Sequence, residues 1–312
     1  MNANQLTPDV GGVDIGSAVA AFLSGKSPVT IAAYRRDLLD FARHEGVQTI
    51  DAVAAKILGS THGHANLAVL RYRAGLLNAK LSPATINRRL TALRSLVTLA
   101  RTLGIVAWEL EVDGVALQQY RDTRGPGVGG LRALLKMSNT QRPEKAKRDA
   151  AIIMLLFGLA LRRAEVASLD LVHWNHGAGT LAVLGKGHLD RVVMTVPGTV
   201  REALVAWVAV RGAAPGPLFG SFDRAGKGDG RLKGDGIFRI VRALGRRAGV
   251  VARPHGLRHT AVTTALDLTG GDVRSVAKFS RHAAIETVLR YDDNREDRGG
   301  KIAEQVAGMA CL

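Results

Sequence analysis

Apolar side chains recur every three or four residues along much of the first 120 positions, the spacing that amphipathic helices require. The segments with the clearest repeat are residues 30–44, 67–79 and 83–103. The last of them begins at Ser82-Pro83 and stops before Gly104, which are typical start and end signals of a helix. We therefore predict a helical first domain over residues 1–120.

The pattern becomes mixed after residue 130. Short runs with strand-like composition are predicted as strands at residues 171–174, 180–184 and 191–196. Helical spacing surrounds them at residues 130–138, 144–160, 162–168, 198–210, 235–248, 256–268, 271–279 and 285–291. The fold class predicted is mainly α, with a small β-sheet in the second domain.

Glycine and proline mark the domain boundary and a loop. The basic stretch 121–130 is rich in both residues and is predicted as a linker. Residues 131–298 then form the second domain, with a mobile Gly-rich loop at 225–236. The tail, residues 299–312, is predicted either to pack on a neighbouring subunit as a short apolar helix or to fray.

Charge narrows the choice of partner. The chain has 312 residues with 43 Lys and Arg against 27 Asp and Glu, a formal net charge of +16. Such an excess predicts a polyanion, either nucleic acid or an anionic membrane surface. A membrane-surface protein concentrates its charge on one helix face. Here arginines are spread along the whole chain, which favours nucleic acid and no membrane.

Other classes of protein are excluded by simpler features. The longest apolar run covers twelve residues, 150–161, whereas a membrane span needs about 20. The first residues show neither a basic nor an apolar region of a secretory signal. Cys311 is the only cysteine, so an intrachain disulfide and a Cys-rich metal site are excluded, and a reducing, cytoplasmic location is expected.

Asn87, Arg94 and Arg101 recur every seven residues and share a helix face distinct from the apolar stripe. A solvated face is the simpler interpretation of such a pattern. The total charge favours a face that contacts phosphates. Together with Arg121 and Arg124 in the linker, these residues are predicted to bind DNA.

Four motifs carry candidate chemistry. Arg162 and Glu165 are three residues apart on one helix face, which taken alone indicates a structural ion pair. Gly185-Lys186-Gly187 describes a tight turn that presents a lysine between two strands. It lacks the form of a nucleotide-phosphate loop, so ATP use is not predicted.

The third motif places His255 and Arg258 on one face of a helix start. His255 and His259 have the spacing of zinc-binding helices, but residue 256 is glycine and no cysteine is near, so no metal is predicted. The fourth motif is His282 followed nine residues later by Tyr291. On one straight helix these two would lie about 13.5 Å apart on opposite faces, so the chain must break between them, near residues 283–284.

The order of these motifs resembles the tyrosine recombinase (phage integrase) family, including Xer-like site-specific recombinases. The residues that carry the resemblance are Arg162-x-x-Glu165, Gly185-Lys186-Gly187, His255-x-Leu257-Arg258-His259, and His282 with Tyr291. The resemblance implies a helical, SAM-like core-binding domain, a catalytic domain and a C-shaped clamp around double-stranded DNA. It also implies a homotetramer on DNA, with accessory DNA-bending proteins as further partners, and a nucleoid-associated location.

In this family a tyrosine cuts one DNA strand, forms a 3′-phosphotyrosyl bond and releases a 5′-hydroxyl. The resemblance implies that Tyr291 is the nucleophile and that Arg162 and Arg258 hold the phosphate. Lys186 would be the general acid, His255 would handle protons and His282 would hydrogen-bond the phosphate, with Glu165 and His259 supporting. A phosphotyrosyl bond conserves bond energy, so no cofactor, metal or ATP is expected.

The sequence departs from the family pattern at three places. Arg281 stands where glycine commonly precedes the second histidine, and Ala160-Leu161 separate Gly158-Leu159 from Arg162, which leaves Arg163 as a second candidate. Arg191 follows Leu189-Asp190 where a second lysine is frequent. Two alternatives share the scaffold: a type IB topoisomerase-like enzyme that relaxes DNA, and a DNA-binding regulator without catalysis.

Overall fold

The computed structural model describes residues 14–116, 125–185, 190–222, 230–289, 291 and 298–309. The chain divides into two compact units, Met1–Gln119 and Tyr120–Leu312. Each unit has its own hydrophobic core. Within the described ranges, none of the helices combines the length and hydrophobicity that crossing a bilayer demands.

The first unit is a bundle of helices. They are α1 (Ile15–Ser24), α2 (Pro28–His44), α3 (Ile50–Leu58), α4 (His62–Asn78) and α5 (Pro83–Thr102). Each begins after a residue whose side-chain oxygen accepts a hydrogen bond from the first turn of the helix; these residues are Asp14, Ser27, Thr49, Thr61 and Ser82. The predicted helices correspond to α2, α4 and α5, and the apolar stripe of α5 lies in the core.

The face of α5 that carries Asn87, Arg94 and Arg101 binds the chain's own extended segment 109–115. The Asn87 side chain donates to the Val115 carbonyl at 2.8 Å and accepts from the Val115 amide at 2.7 Å. Arg94 donates to the carbonyl of Val112, and Arg101 pairs with Glu109. The polar groups of this face thus satisfy a segment without regular secondary structure. That the face contacts phosphates stays a prediction.

The second unit combines helices with a small sheet. Its helices are α6 (Gly127–Ser138), α7 (Pro143–Gly158), α8 (Arg163–Ala167), α9 (Gly198–Arg211), α10 (Gly234–Arg247), α11 (Pro254–Leu268), α12 (Val273–Ser280), α13 (Ile285–Leu289) and α14 (Arg298–Met309). The strands β1 (Trp174–Asn175), β2 (Thr180–Leu184) and β3 (Arg191–Thr195) form an antiparallel sheet in the order β1-β2-β3. The predicted mainly α fold with a small sheet is confirmed.

The strand predicted at 171–174 is wrong for most of its length. Residues Leu171–His173 form a single 3₁₀ turn, and only Trp174 belongs to a strand. The His173 ring accepts a hydrogen bond at 2.8 Å from the Asp170 amide. This local bond favours the turn over extended pairing.

Two further boundaries differ from the predictions. Helix α6 begins at Gly127, inside the stretch predicted as linker, and α10 begins at Gly234, inside the predicted loop. Residues 121–124 and 225–229 of those two predictions lie outside the described part of the chain.

Helix α7 lies at the centre of the second unit and packs against α9 and α11. Its apolar residues, including Ile152, Ile153 and Leu156, are fully buried. Gly158 ends the helix where a Cβ atom would come within 2.5 Å of Val200 on α9, so this close approach requires glycine. The chain then turns beneath the start of α11.

The chain breaks between His282 and Tyr291, as the spacing predicts. Helix α12 ends at Ser280, and Arg281 takes the left-handed conformation with φ of 54°. The short helix α13 follows, and Tyr291 comes two residues after its end. The predicted mobility of the Tyr291 segment stays a prediction.

Candidate active site

Arg258 is the most enclosed charged group of the site, with only 1% of its surface exposed. It projects from the first turn of α11, which Pro254 opens. One terminal nitrogen donates to the carbonyl of Ala160. The other lies 2.5 Å from the Ser280 carbonyl and 3.1 Å from His282 Nε2. Arg258 thereby joins the end of α7 to the end of α12.

The turn after α7 presents Ala160 to this arginine. Ala160 adopts a φ of 46°, a left-handed conformation that is costly for a residue with a Cβ atom. The Leu161 amide returns to the Leu155 carbonyl at 3.2 Å and fixes the turn. The Ala160 carbonyl is left facing the guanidinium groups of Arg258 and Arg281.

Glu165 is the buried carboxylate of the site, with 3% exposed. It accepts hydrogen bonds of 2.8 Å from the Arg162 amide, from the Arg162 guanidinium and from the Arg281 guanidinium. Burial pulls the pKa of Glu165 upward, but the bonds from Arg162 and the charge of Arg281 outweigh burial and hold it below its usual value. Glu165 is therefore ionised at neutral pH and fixes two arginines.

Arg281 is the site residue that sequence reasoning did not assign. Besides Glu165, its guanidinium donates to the Leu159 carbonyl at 3.1 Å. Its own carbonyl lies 3.4 Å from the Arg162 guanidinium. Arg281 thus binds the backbone just before Arg162, and Arg162 binds the backbone of Arg281. The only signal in the sequence is the departure from glycine before His282.

In the described part of the site, the guanidinium groups of Arg162 and Arg281 contact the Glu165 carboxylate, and Arg258 shares the Ala160 carbonyl with Arg281. Burial and the neighbouring charge of Arg162 lower the pKa of Arg258 to about 10, which still leaves it charged at pH 7. The resulting excess of positive charge suits an anion, and planar guanidiniums match the geometry of phosphate oxygens.

His255 and His282 are neutral at pH 7. The pKa of His255 is lowered because the surrounding protein displaces part of its water and because Arg258 and Arg162 are positively charged. Part of the side chain remains exposed to solvent. Burial and the same two arginines lower the pKa of His282 to about 4. A neutral imidazole is able to accept a proton.

Tyr291 is 8% exposed and packs with Val262, Val276 and Val288. Its ring centroid lies 4.8 Å from that of His259 and 5.5 Å from that of His282. The two histidines therefore contact the ring of the candidate nucleophile, which brings together residues that are 32 positions apart in the chain.

Other predicted residues lie elsewhere or outside the described ranges. Arg163 points away from the site and faces Asp235 at 3.4 Å and the ring of Phe238, so Arg162 is the arginine placed beside Glu165. Lys186, Arg121 and Arg124 belong to stretches that the structure does not describe. In the ranges it does describe, no group of three His, Cys, Asp or Glu side chains is arranged to hold a metal ion.

Comparison with known proteins identifies the family of the chain. The family model described as "Phage integrase family" matches residues 130–298, just over half of the chain. A tyrosine recombinase of Synechocystis, slr0733, is 39% identical over 290 residues that cover 91% of this chain and 92% of the relative. Tyrosine recombinase XerC of Pelobacter propionicus is 30% identical over 277 residues, 87% of each chain.

Solved structures share the fold. XerH recombinase bound to a difH substrate superposes with a TM-score of 0.64 at 15% identity, covering 94% of this chain and 85% of XerH. A lambda integrase dimer bound to a core site gives a TM-score of 0.65 at 12% identity, covering 91% and 79%. The chain belongs to the phage integrase family, the tyrosine recombinases, and is an enzyme that cleaves and rejoins DNA strands.

Proposed function

We propose that this protein is a site-specific recombinase that breaks DNA through a 3′-phosphotyrosyl intermediate on Tyr291. The observation that carries the proposal is a connected set of contacts: the His282 ring lies against the Tyr291 ring and bonds to Arg258, and Arg162 bonds to the carbonyl of the neighbouring Arg281. The mechanism is general to the family, and the residues of this chain supply each role it needs.

Phosphate binding comes first. Arg162 and Arg258 would exchange part of their present contacts with backbone carbonyls for the non-bridging oxygens of the scissile phosphate. Those oxygens gain negative charge as the tyrosine attacks, and guanidiniums held in place by the fold stabilise that charge. Glu165 keeps Arg162 oriented while this occurs.

Proton transfer comes next. A phenol is a weak nucleophile at neutral pH and needs a group that accepts its proton. His255 is uncharged at pH 7 and follows Pro254 on the first turn of α11, one turn before His259 at the Tyr291 ring. We assign proton acceptance to His255 and protonation of the leaving 5′-oxygen to Lys186.

Assembly on DNA completes the proposal. Helix α14 exposes the apolar side chains Val306 (62%) and Met309 (79%), which suits packing on a second copy. We propose that the protein acts in the cytoplasm as a homotetramer on double-stranded DNA of the nucleoid. We further propose that it belongs to a mobile genetic element. Neither ATP nor a metal ion is required.

A suicide-substrate assay tests the proposal. A duplex selected from a random library by the Tyr291→Phe protein would be nicked near the cleavage position and mixed with the wild type in EDTA without ATP. We expect an SDS-resistant protein–DNA adduct. Tyr291→Phe should bind the duplex equally and form no adduct, because the ring and its packing remain while the hydroxyl is lost.

Tyr34→Phe is the matched control. Tyr34 stacks on Phe22 in the first unit, so its loss of a hydroxyl should leave the adduct unchanged. Absence of an adduct from the wild type would contradict catalysis and favour a silent DNA-binding regulator. Relaxation of a supercoiled plasmid without joining of two sites would favour the topoisomerase-like alternative.

A further inference from the structure

Ser280 is a fully buried serine beside the candidate site, with 0% of its surface exposed. Its hydroxyl lies 2.7 Å from His282 Nδ1 and 2.7 Å from the Val276 carbonyl. Its own carbonyl accepts from Arg258.

The direction of each hydrogen bond follows from chemistry. A guanidinium only donates, so His282 Nε2, 3.1 Å from Arg258, must accept and carry no proton. A neutral imidazole then holds its proton on Nδ1. That proton is donated to the Ser280 hydroxyl, and the hydroxyl donates in turn to the Val276 carbonyl. The low pKa of His282 supports the neutral ring.

Phosphate binding reverses the direction of the hydrogen bond between His282 Nδ1 and the Ser280 hydroxyl. A phosphodiester oxygen only accepts, so His282 can hydrogen-bond it only through a protonated Nε2. If the ring stays neutral, one proton leaves Nδ1 for water and one joins Nε2 from water. Nδ1 then needs a donor, and within the described residues its hydrogen-bond partner is the Ser280 hydroxyl.

We propose that Ser280 is a positioning residue that holds His282 in the Nδ1–H form before DNA binds and stabilises the Nε2–H form at the phosphate by rotating its hydroxyl from Val276 to Nδ1. The inference rests on the proposed function, because it assumes that His282 contacts the scissile phosphate. A hydroxyl performs both tasks since it both donates and accepts.

Histidine NMR tests, without any need for catalysis, whether His282 carries its proton on Nδ1 before DNA binds. Long-range ¹H–¹⁵N spectra of the ¹⁵N-histidine-labelled full chain at pH 7 report which ring nitrogen carries the proton. The signal assigned through His282→Asn should show Nδ1–H in the free wild type. An Nε2–H ring in the free protein would overturn the proposal, whatever the strand-cleavage result.

The selected duplex is used to test whether Ser280 stabilises the Nε2–H form of His282 when DNA is bound. In the Tyr291→Phe background, DNA should convert His282 to Nε2–H, and Ser280→Ala should reduce that conversion. With Tyr291 present, Ser280→Ala should slow adduct formation about tenfold, the effect of one lost hydrogen bond. Ser280→Thr, which keeps a hydroxyl, should restore much of the rate.

Ser138→Ala is the control for loss of a buried serine hydroxyl. Ser138 is also 0% exposed and donates to the Leu135 carbonyl at the end of α6. It should leave both the His282 signal and the cleavage rate unchanged. Equal rates and equal spectra for Ser280→Ala and Ser138→Ala would overturn the proposal. A wild type without any adduct but with Nδ1–H on His282 would contradict the proposed function alone.

Discussion

Glu165 is the residue around which the arginines of the site are arranged. It accepts from Arg162 and Arg281, and these two guanidiniums also reach across to each other's backbone segments. A buried carboxylate that lost one of these partners would be left with an uncompensated charge. The geometry of Arg162 therefore depends on Arg281, a residue outside the family's usual pattern.

Two substitutions of Arg281 distinguish the effect of its left-handed backbone from the effect of its contact with Glu165. Arg281→Gly removes the guanidinium but suits the left-handed φ of 54°. We expect adduct formation to slow by roughly tenfold to a hundredfold, the loss of a charged hydrogen bond, and Tm to fall because Glu165 loses one of its two charged partners. Arg281→Ala should cost similar activity and a larger drop in Tm.

Arg163→Ala serves as the control for loss of an arginine, since its side chain is exposed and pairs with Asp235 outside the site. It should change neither the rate nor Tm. Full activity of Arg281→Gly would contradict the positioning assigned to Arg281.

The pKa of His282 predicts how stability depends on pH. It is about 4 in the folded protein against 6.5 ordinarily, so between these values the unfolded chain binds more protons. The free energy of unfolding must then fall as the pH is lowered through this window and recover as it rises. Between pH 7 and pH 5 the Tm of the wild type should fall further than the Tm of His282→Asn. Parallel curves of Tm against pH would contradict the lowered pKa of His282.

At the scale of elements, sequence periodicity predicts most helices because apolar stripes and capping residues are local signals. The predicted strand β2 is confirmed to the residue, and α5 within one residue. Helices α1 and α3 were not singled out, since they are short and lack a long apolar repeat. The contacts of the face with Asn87, Arg94 and Arg101 could not be predicted, because their partners lie up to 28 residues away in a segment without a periodic pattern.

Asn87→Ala tests whether this face stabilises the first unit or contacts DNA. Asn87 makes two hydrogen bonds with Val115, so the alanine variant should lose about 1–3 kcal/mol of unfolding free energy in the first unit, measured by calorimetry. Its affinity for the selected duplex, measured below the unfolding range, should stay within twofold. Weaker DNA binding at unchanged stability would instead support contact of this face with phosphates.

For the candidate site, the sequence predicts the identity of the residues better than their connections. Arg162, Arg258, His282 and Tyr291 are brought together as the motif order implies. The roles of Ser280 and Arg281 depend on where α12 ends and on the left-handed turn after it. Such contacts between distant segments leave no periodic trace in the sequence.

At the scale of the whole molecule, the net charge of +16 predicts binding governed by phosphate contacts. Neutralising phosphates releases counterions, so affinity falls with salt. We expect the dissociation constant for duplex DNA to rise about a thousandfold between roughly 50 and 200 mM salt, if six or more phosphates are contacted. Fluorescence anisotropy measures this slope, and a flat response would contradict electrostatic binding.

The central claim is that Tyr291 becomes joined to DNA, and peptide mapping of the adduct tests it most directly. Trypsin cleavage after Arg290 and Arg295 isolates the peptide Tyr291-Asp-Asp-Asn-Arg295. Mass spectrometry of the nuclease-trimmed adduct should find a nucleotide 3′-phosphate on this peptide. A nucleotide on a peptide containing Tyr34, Tyr72 or Tyr120, or an unmodified Tyr291 in a purified adduct, would contradict the account.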